Sequence, residues 1–243
     1  MNKFKLIYKY FGDSAILIEW PQIINQEILD DIRLFSKAIE KANISSLTDC
    51  NFVYHSMVIT FNNEILTVNE LILLLKEIYS KKEVSTKPEA KTWYIPVCYD
   101  QDFGLDILEL SSIKGMSLKE LIALHIAPIY TVYGIGFLPG FLYLGGMHDK
   151  LVTPRKETPR INVPKKSVAI GGLQTGIYPQ ESPGGWYIIG KTPIPLFNVK
   201  NEYPCFINVG DKIKFYTVSK PEFDILEIEV QAGIYDLKKT AHA

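Results

Sequence analysis

Two hydrophobic rhythms divide the chain. In residues 5–10 and 14–20, β-forming side chains cluster on either side of Phe11-Gly12-Asp13, the layout of a hairpin. In residues 25–42 the apolar positions are Ile28, Ile32, Phe35, Ile39 and Ala42, a spacing of three and four that predicts an amphipathic helix. Residues 47–54 and 57–61 return to strand character. Thr67-Val68-Asn69-Glu70 has the form of a capping box, whose Thr and Glu side chains satisfy the first free N–H groups of a helix. Val68, Leu71, Leu75 and Ile78 then fall on one face. Strand pairs around two helices predict an α+β sandwich of the ferredoxin-like kind. Residues 81–91 are polar, contain Pro88 and read as a linker, so the expected division is 1–90 and 91–243.

Beyond the linker the rhythm changes. Residues 92–99 read as a strand that Pro96 confines to an edge or to the start of a domain, because proline lacks the donor a central ladder needs. Residues 105–113 read as a helix. Ser117-Leu118-Lys119-Glu120 is a second capping box, opening a short helix that carries His125 and stops near Pro128. From Ile129 to Val230 the pattern is β: Gly210-Asp211 makes a turn, residues 212–217 alternate, and residues 225–230 alternate again. Residues 237–243 read as a frayed tail.

Residues 133–197 hold most of the 16 glycines and more than half of the 14 prolines. That density excludes long helices there, since proline removes a backbone donor and glycine costs about 1 kcal/mol against alanine in a helix interior. Compact β structure is expected, with stiff loops presenting Arg, Lys, Gln, Tyr and Trp side chains.

A length of 243 residues admits one large domain or two ordinary ones, and 47% hydrophobic with 22% charged residues is the composition of a globular protein. A net charge of −1 with a pI near 6.4 argues against a general nucleic-acid partner. No apolar run approaches the ~18 residues that would span a bilayer, and residues 1–9 lack the layout of a signal peptide. Cys50, Cys98 and Cys205 are too scattered for a disulfide framework or a zinc site. Three buried thiols, no metal, no membrane partner and a cytoplasmic location are therefore expected.

Residues 185–192 satisfy G-x-x-x-x-G-K-[ST], but the phosphate loop of that form needs a helix after it. Trp-Tyr-Ile-Ile in the middle favours a strand, and Pro193 and Pro195 remove helix donors. Lys191 is expected instead to meet an anion as a side chain at a strand end. Arg155 and Arg160 each follow a proline in T-P-R-K-E-T-P-R. Their planar forks suit a carboxylate or phosphate, or equally a structural pairing with Glu157, Glu181 or carbonyls. Gln174, Thr175, Tyr178 and Ser182 are neutral groups suited to an amide such as a lactam, or to ordinary turn chemistry. Trp186 suits a pocket wall or a core. His125, with no second His or Cys nearby, reads as structural, and it stands with the substrate-binding candidates. Asp100, Asp102 and Asp106 read as caps and solvent charges.

One family shares this set of spaced motifs. His125 with Tyr130 and Tyr133, the run Gly136-Phe137-Leu138-Pro139-Gly140-Phe141, and Tyr143-Leu144-Gly145-Gly146 belong to the set. So do Pro154-Arg155, Thr158-Pro159-Arg160, Val163-Pro164, Gln174-Thr175-Gly176-Ile177-Tyr178-Pro179 and Ser182-Pro183-Gly184-Gly185-Trp186. Gly190-Lys191-Thr192-Pro193 and Gly210-Asp211 complete it. From about Tyr94 to Phe215 the chain resembles the allophanate hydrolase subunit 1 family, which includes the B subunit of bacterial 5-oxoprolinase and the histidine-kinase inhibitor KipI. Lys191 stands where that family usually has Arg, Lys166 where it often has Gly, Leu105 where it often has Pro, and Ile126 where it often has Ser.

The resemblance implies a ferredoxin-like lobe followed by a cyclophilin-like β-barrel. It implies a non-autonomous, cytoplasmic component of an ATP-dependent enzyme that opens 5-oxo-L-proline to L-glutamate, partnered by the A subunit of that 5-oxoprolinase and by its KipA-like C subunit. ATP, with Mg at the level of the complex, is the implied cofactor, and none is bound covalently. Arg155, Arg160 and Lys191 are the implied catalytic cations. Gln174, Tyr178, Ser182, Trp186 and His125 are the implied substrate contacts. Two other activities occur under the same resemblance: inhibition of a sensor histidine kinase, and a part in a biotin-dependent carboxyltransferase acting on urea-like amides.

Overall fold

The computed structural model describes residues 4–82 and 89–237, and the chain divides into two compact units, Met1–Glu89 and Ala90–Ala243. The expected linker and tail lie largely outside the described residues.

The first unit runs β1 (Ile7–Tyr10), β2 (Ala15–Glu19), α1 (Gln26–Ala42), β3 (Leu47–Val53), β4 (Ser56–Phe61) and α2 (Val68–Lys81). Its antiparallel sheet has the order β1-β2-β4-β3. The series β2-α1-β3-β4-α2 is ferredoxin-like, but β1, folded back from the N-terminal side, fills the edge that a strand after α2 would take. Asn25 caps α1 by accepting from the Glu27 N–H, and Thr67 with Glu70 forms the reciprocal box on α2. The periodic residues Ile28, Ile32, Phe35 and Ile39 share one core with Leu71, Leu75 and the sheet residues Ile16, Ile18 and Ile59.

The second unit runs β5 (Thr92–Val97), α3 (Ile107–Lys114), α4 (Leu118–Ile126), β6 (Tyr130–Ile135), β7 (Leu142–Gly145), β8 (Arg160–Val163), β9 (Ser167–Gly171), β10 (Gln174–Ile177), β11 (Ser182–Gly184), β12 (Tyr187–Lys191), β13 (Lys212–Thr217) and α5 (Lys220–Gln231). Seven strands form one sheet in the order β12-β9-β10-β7-β6-β13-β5, and β8 pairs with β11 separately. The two ends of that order meet where Cys98 N–H donates to the Lys191 carbonyl at 2.9 Å and Lys191 N–H donates back at 3.0 Å. This seam all but closes the sheet into a barrel. Pro96 is tolerated because β5 is an end strand, paired in parallel with β13 alone.

The seam leaves no room for a side chain at Gly190, where a Cβ would lie 2.7 Å from the Cys98 carbonyl oxygen. Gly190→Ala is therefore expected to cost about 2 kcal/mol by overpacking. Denaturant unfolding measures this, and wild-type stability would show that the seam does not restrain the barrel.

Side chains alternate across the barrel wall. Leu142, Leu144, Val168, Ile170, Ile177 and Ile189 fill the interior. Ala169 and Ile188 face outward and build a second, smaller core with Phe141, Val163, Tyr178 and Trp186.

Residues 225–230 are helical, not a strand. The alternation in I-L-E-I-E-V misleads because Phe223, Leu226 and Val230, the inward positions, are also spaced three and four apart. Ser219 and Glu222 form a capping box with Pro221 in the first turn, and this local signal outweighs the alternation. Cys98 is buried, but Cys50 and Cys205 are only half-buried, and all three are free thiols. Lys166 has φ 67°, in the left-handed region that favours glycine, and its ammonium pairs with Glu227 of α5 at 2.8 Å.

Candidate functional site

The outer face of the barrel carries a cavity of about 390 Å³, and its back wall is Trp186. The indole lies flat on two strands because both carry glycine beneath it. A Cβ at Gly171 of β9 would come within 2.5 Å of the indole, and one at Gly176 of β10 within 2.9 Å. Phe141 stands edge-on to it at 5.6 Å and 80°, to Tyr178 at 5.1 Å and 85°, and to Tyr143 at 4.8 Å. These are the tilted contacts that the ring quadrupoles favour. Phe137 stands at the cavity's edge, 63% exposed, with φ 61°. Such a φ is uncommon for a bulky residue and gathers at ligand-binding positions.

Polar groups are few. The Arg155 guanidinium lies 5.9 Å from the Trp186 ring, and among the described residues no carboxylate pairs with it. Burial pushes the Tyr178 phenol up to about 12, opposed by a backbone hydrogen bond from Trp186 and by the Arg155 charge, so it is a neutral donor at physiological pH. Gly184 makes room for that hydroxyl, since a Cβ there would sit 2.3 Å from it. Ser182 also lines the cavity. An apolar slot with one unpaired cation and a few neutral donors suits a small, flat, singly anionic guest.

The expected residues do not all converge here. Arg155, Tyr178, Ser182 and Trp186 line the cavity. Gln174 stands on the outward face of β10, two residues from Gly176, but is not part of the lining. Arg160 is committed elsewhere: its Nη2 reaches Asp106 at 2.5 Å. The Lys191 ammonium lies over the rings of Phe103 and Phe223, at 5.2 and 5.8 Å, away from Arg155 and its lining neighbours. The three cations thus do not form one anion site.

His125 is fully buried inside the barrel, stacked on Phe215 at 4.9 Å. Thr175 donates its hydroxyl to the Ala169 carbonyl at 2.9 Å, so its oxygen accepts from His125 Nε2–H at 2.9 Å. Nδ1 then accepts from the Tyr99 hydroxyl at 2.6 Å. This neutral imidazole is part of the core and is not among the residues that line the cavity.

Sequence reasoning passed over Phe141 and Tyr143 as walls, although their spacing of two at the start of an extended run puts both on one face. It also took Asp106 for a cap or a solvent charge; it does stand at the N-cap of α3, but its side chain makes no capping bond there. Asp106 is 1% exposed and binds Arg160 and Lys156, a pairing that joins positions about fifty residues apart.

The model of the carboxyltransferase domain, subdomains C and D, matches residues 6–207. The 5-oxoprolinase B subunit of Bacillus subtilis is 33% identical over 87% of this chain and 92% of its own length. That of Haemophilus influenzae is 43% identical over 60% of this chain and 68% of its own. The crystal structure of K. lactis urea amidolyase matches with a TM-score of 0.83 at 17% identity, over 98% of this chain but only 16% of that one, a likeness of fold.

Proposed function

Because the chain belongs to the carboxyltransferase-domain family of subdomains C and D, we propose that it serves as the B subunit of an ATP-dependent 5-oxoprolinase. In that role its outer-face pocket holds the lactam. The observation that carries the reading is the Arg155 guanidinium at the rim of an aromatic slot, with no carboxylate partner among the described residues. The ring of 5-oxoproline lies against Trp186 with its carboxylate on Arg155, and Tyr178 and Ser182 offer hydrogen bonds to the amide. The relatives that carry the name of the 5-oxoprolinase B subunit support the assignment.

ATP does not fit the same pocket. A triphosphate needs several cations, whereas Arg160 and Lys156 are neutralised by Asp106 and Glu109, and of the cations described at this pocket only Arg155 is left. Gly190 and Lys191 of the glycine-lysine-threonine run are themselves the last residues of β12, and the next element is β13, not a helix that would cradle phosphates. The nucleotide and its Mg belong to the A and C subunits, and this chain alone is inactive.

Reconstitution with the A and C subunits, assayed for glutamate release with and without ATP, tests the proposal. Arg155→Ala should raise KM for 5-oxoproline by about 10- to 100-fold, the loss of one charge-assisted pair. An unchanged KM would remove the lactam from this pocket. ATP-dependent turnover by the isolated chain would refute its non-autonomous role.

A further inference from the structure

The carboxylate of Asp106 lies outside the pocket lining, yet three residues from two other segments close on it. Oδ1 accepts from Lys156 Nζ at 2.8 Å and from Arg160 Nη2 at 2.5 Å. Oδ2 accepts from Arg160 Nε at 3.4 Å and from the Ile188 N–H at 2.8 Å. The Asp106 N–H donates to the Ile188 carbonyl at 2.8 Å, so the start of α3 is clamped to β12 from both sides. Gly104 permits this approach, since a Cβ there would lie 2.6 Å from the Ile189 carbonyl oxygen. Glu109, farther along α3, takes Lys156 as well at 2.5 Å.

Each partner stands beside a pocket residue. Lys156 follows Arg155, and its N–H donates to the Gly185 carbonyl at 2.7 Å. Arg160 follows Pro159 and pairs with Gly184 across the β8–β11 ladder. Ile188 comes two residues after Trp186. Arg155, Pro159, Gly184, Gly185 and Trp186 all line the cavity, so one buried charge ties the wall that carries Arg155 and Trp186 to α3.

The geometry points to Asp106 as the residue that positions this pocket: it draws in Lys156 and Arg160, sets Arg155 and Trp186 opposite the ring slot, and leaves one cation for the guest. The inference rests on the reading of the slot as the lactam site. Asp106 touches no guest and is a positioning residue. A carboxylate is required because both oxygens receive donors, and an amide would turn an NH2 group toward at least one of them.

The test uses the assembled complex. Asp106→Asn should raise KM for 5-oxoproline about tenfold with kcat within about threefold, whereas a merely structural role would lower the amount of active enzyme and leave KM alone. A second readout needs no substrate. In the isolated chain, the 15N indole resonance of Trp186, assigned with Trp186→Phe, should shift in Asp106→Asn while those of Trp20 and Trp93 stay in place. Should Asp106→Asn fail to fold, Lys156→Met and Arg160→Gln each remove one donor and should shift the same resonance. An unmoved resonance together with an unchanged KM overturns the inference. If Arg155→Ala leaves KM unchanged while Asp106→Asn still shifts the indole, the lactam reading falls and the positioning role stands.

Discussion

Between pH 6.5 and pH 4 the second unit should lose about 3 kcal/mol of stability through His125 alone. Burial pushes the imidazole down to about 3, against an unfolded value near 6.5. Below pH 6.5 the unfolded chain takes up a proton at this site and the native chain does not, so acid favours unfolding. The contribution is fully present above the unfolded pKa and drains away as the pH falls toward the folded one. The neutral state is held by Tyr99 donating to Nδ1 and by Nε2–H donating to Thr175, with Tyr130, Phe215 and Tyr99 as aromatic neighbours. Stability from urea titrations at stepped pH measures the effect. Asp106 does not obscure it: burial raises its carboxyl, but hydrogen bonds from Arg160, Lys156 and Ile188 outweigh that and hold it below the usual range. Its own loss comes at lower pH. His125→Gln should flatten the slope between pH 6.5 and 4, and an equal slope in the variant would place the titration elsewhere.

Gly176→Ala should cost about 3 kcal/mol, at the upper end for one added methyl, and abolish the pocket. The new Cβ would lie 2.7 Å from the Leu142 carbonyl oxygen, 2.9 Å from Trp186 and 3.1 Å from the Phe141 ring. The Leu142 carbonyl belongs to the neighbouring strand β7, paired with β10, and cannot yield without breaking the ladder. Trp186 and Phe141 must therefore give way, and they are the back wall of the slot. Denaturant unfolding and a red shift of tryptophan emission read the two consequences together. Gly185→Ala is the matched control: a Cβ there meets nothing closer than 3.6 Å, and a change within about 0.5 kcal/mol is expected. Equal stability of the two variants would show that Trp186 does not need its glycine seat.

Local order was legible in the sequence wherever the signal is local. The helix over Gln26–Ala42 follows from apolar spacing, and the starts of α2 and α4 follow from capping boxes that the structure reproduces bond for bond. At 225–230 the alternation pointed to the wrong element, and the capping box at Ser219 and Glu222, passed over in the sequence, marks the right one. The glycine-rich stretch announced a rigid β structure with a tryptophan in it, but not that Gly171 and Gly176 exist to seat that tryptophan.

The fate of the charges was decided only in three dimensions. Arg155 and Arg160 occupy equivalent Pro-Arg units, and nothing in their neighbours distinguishes a ligand-facing guanidinium from a structural one. The strand order brings Asp106 beneath Arg160, leaves Arg155 over Trp186, and puts Lys191 at the barrel seam. Periodicity and caps act over three or four residues and can be read from the chain. Which cation meets which carboxylate depends on how the sheet closes, and that is a property of the whole barrel.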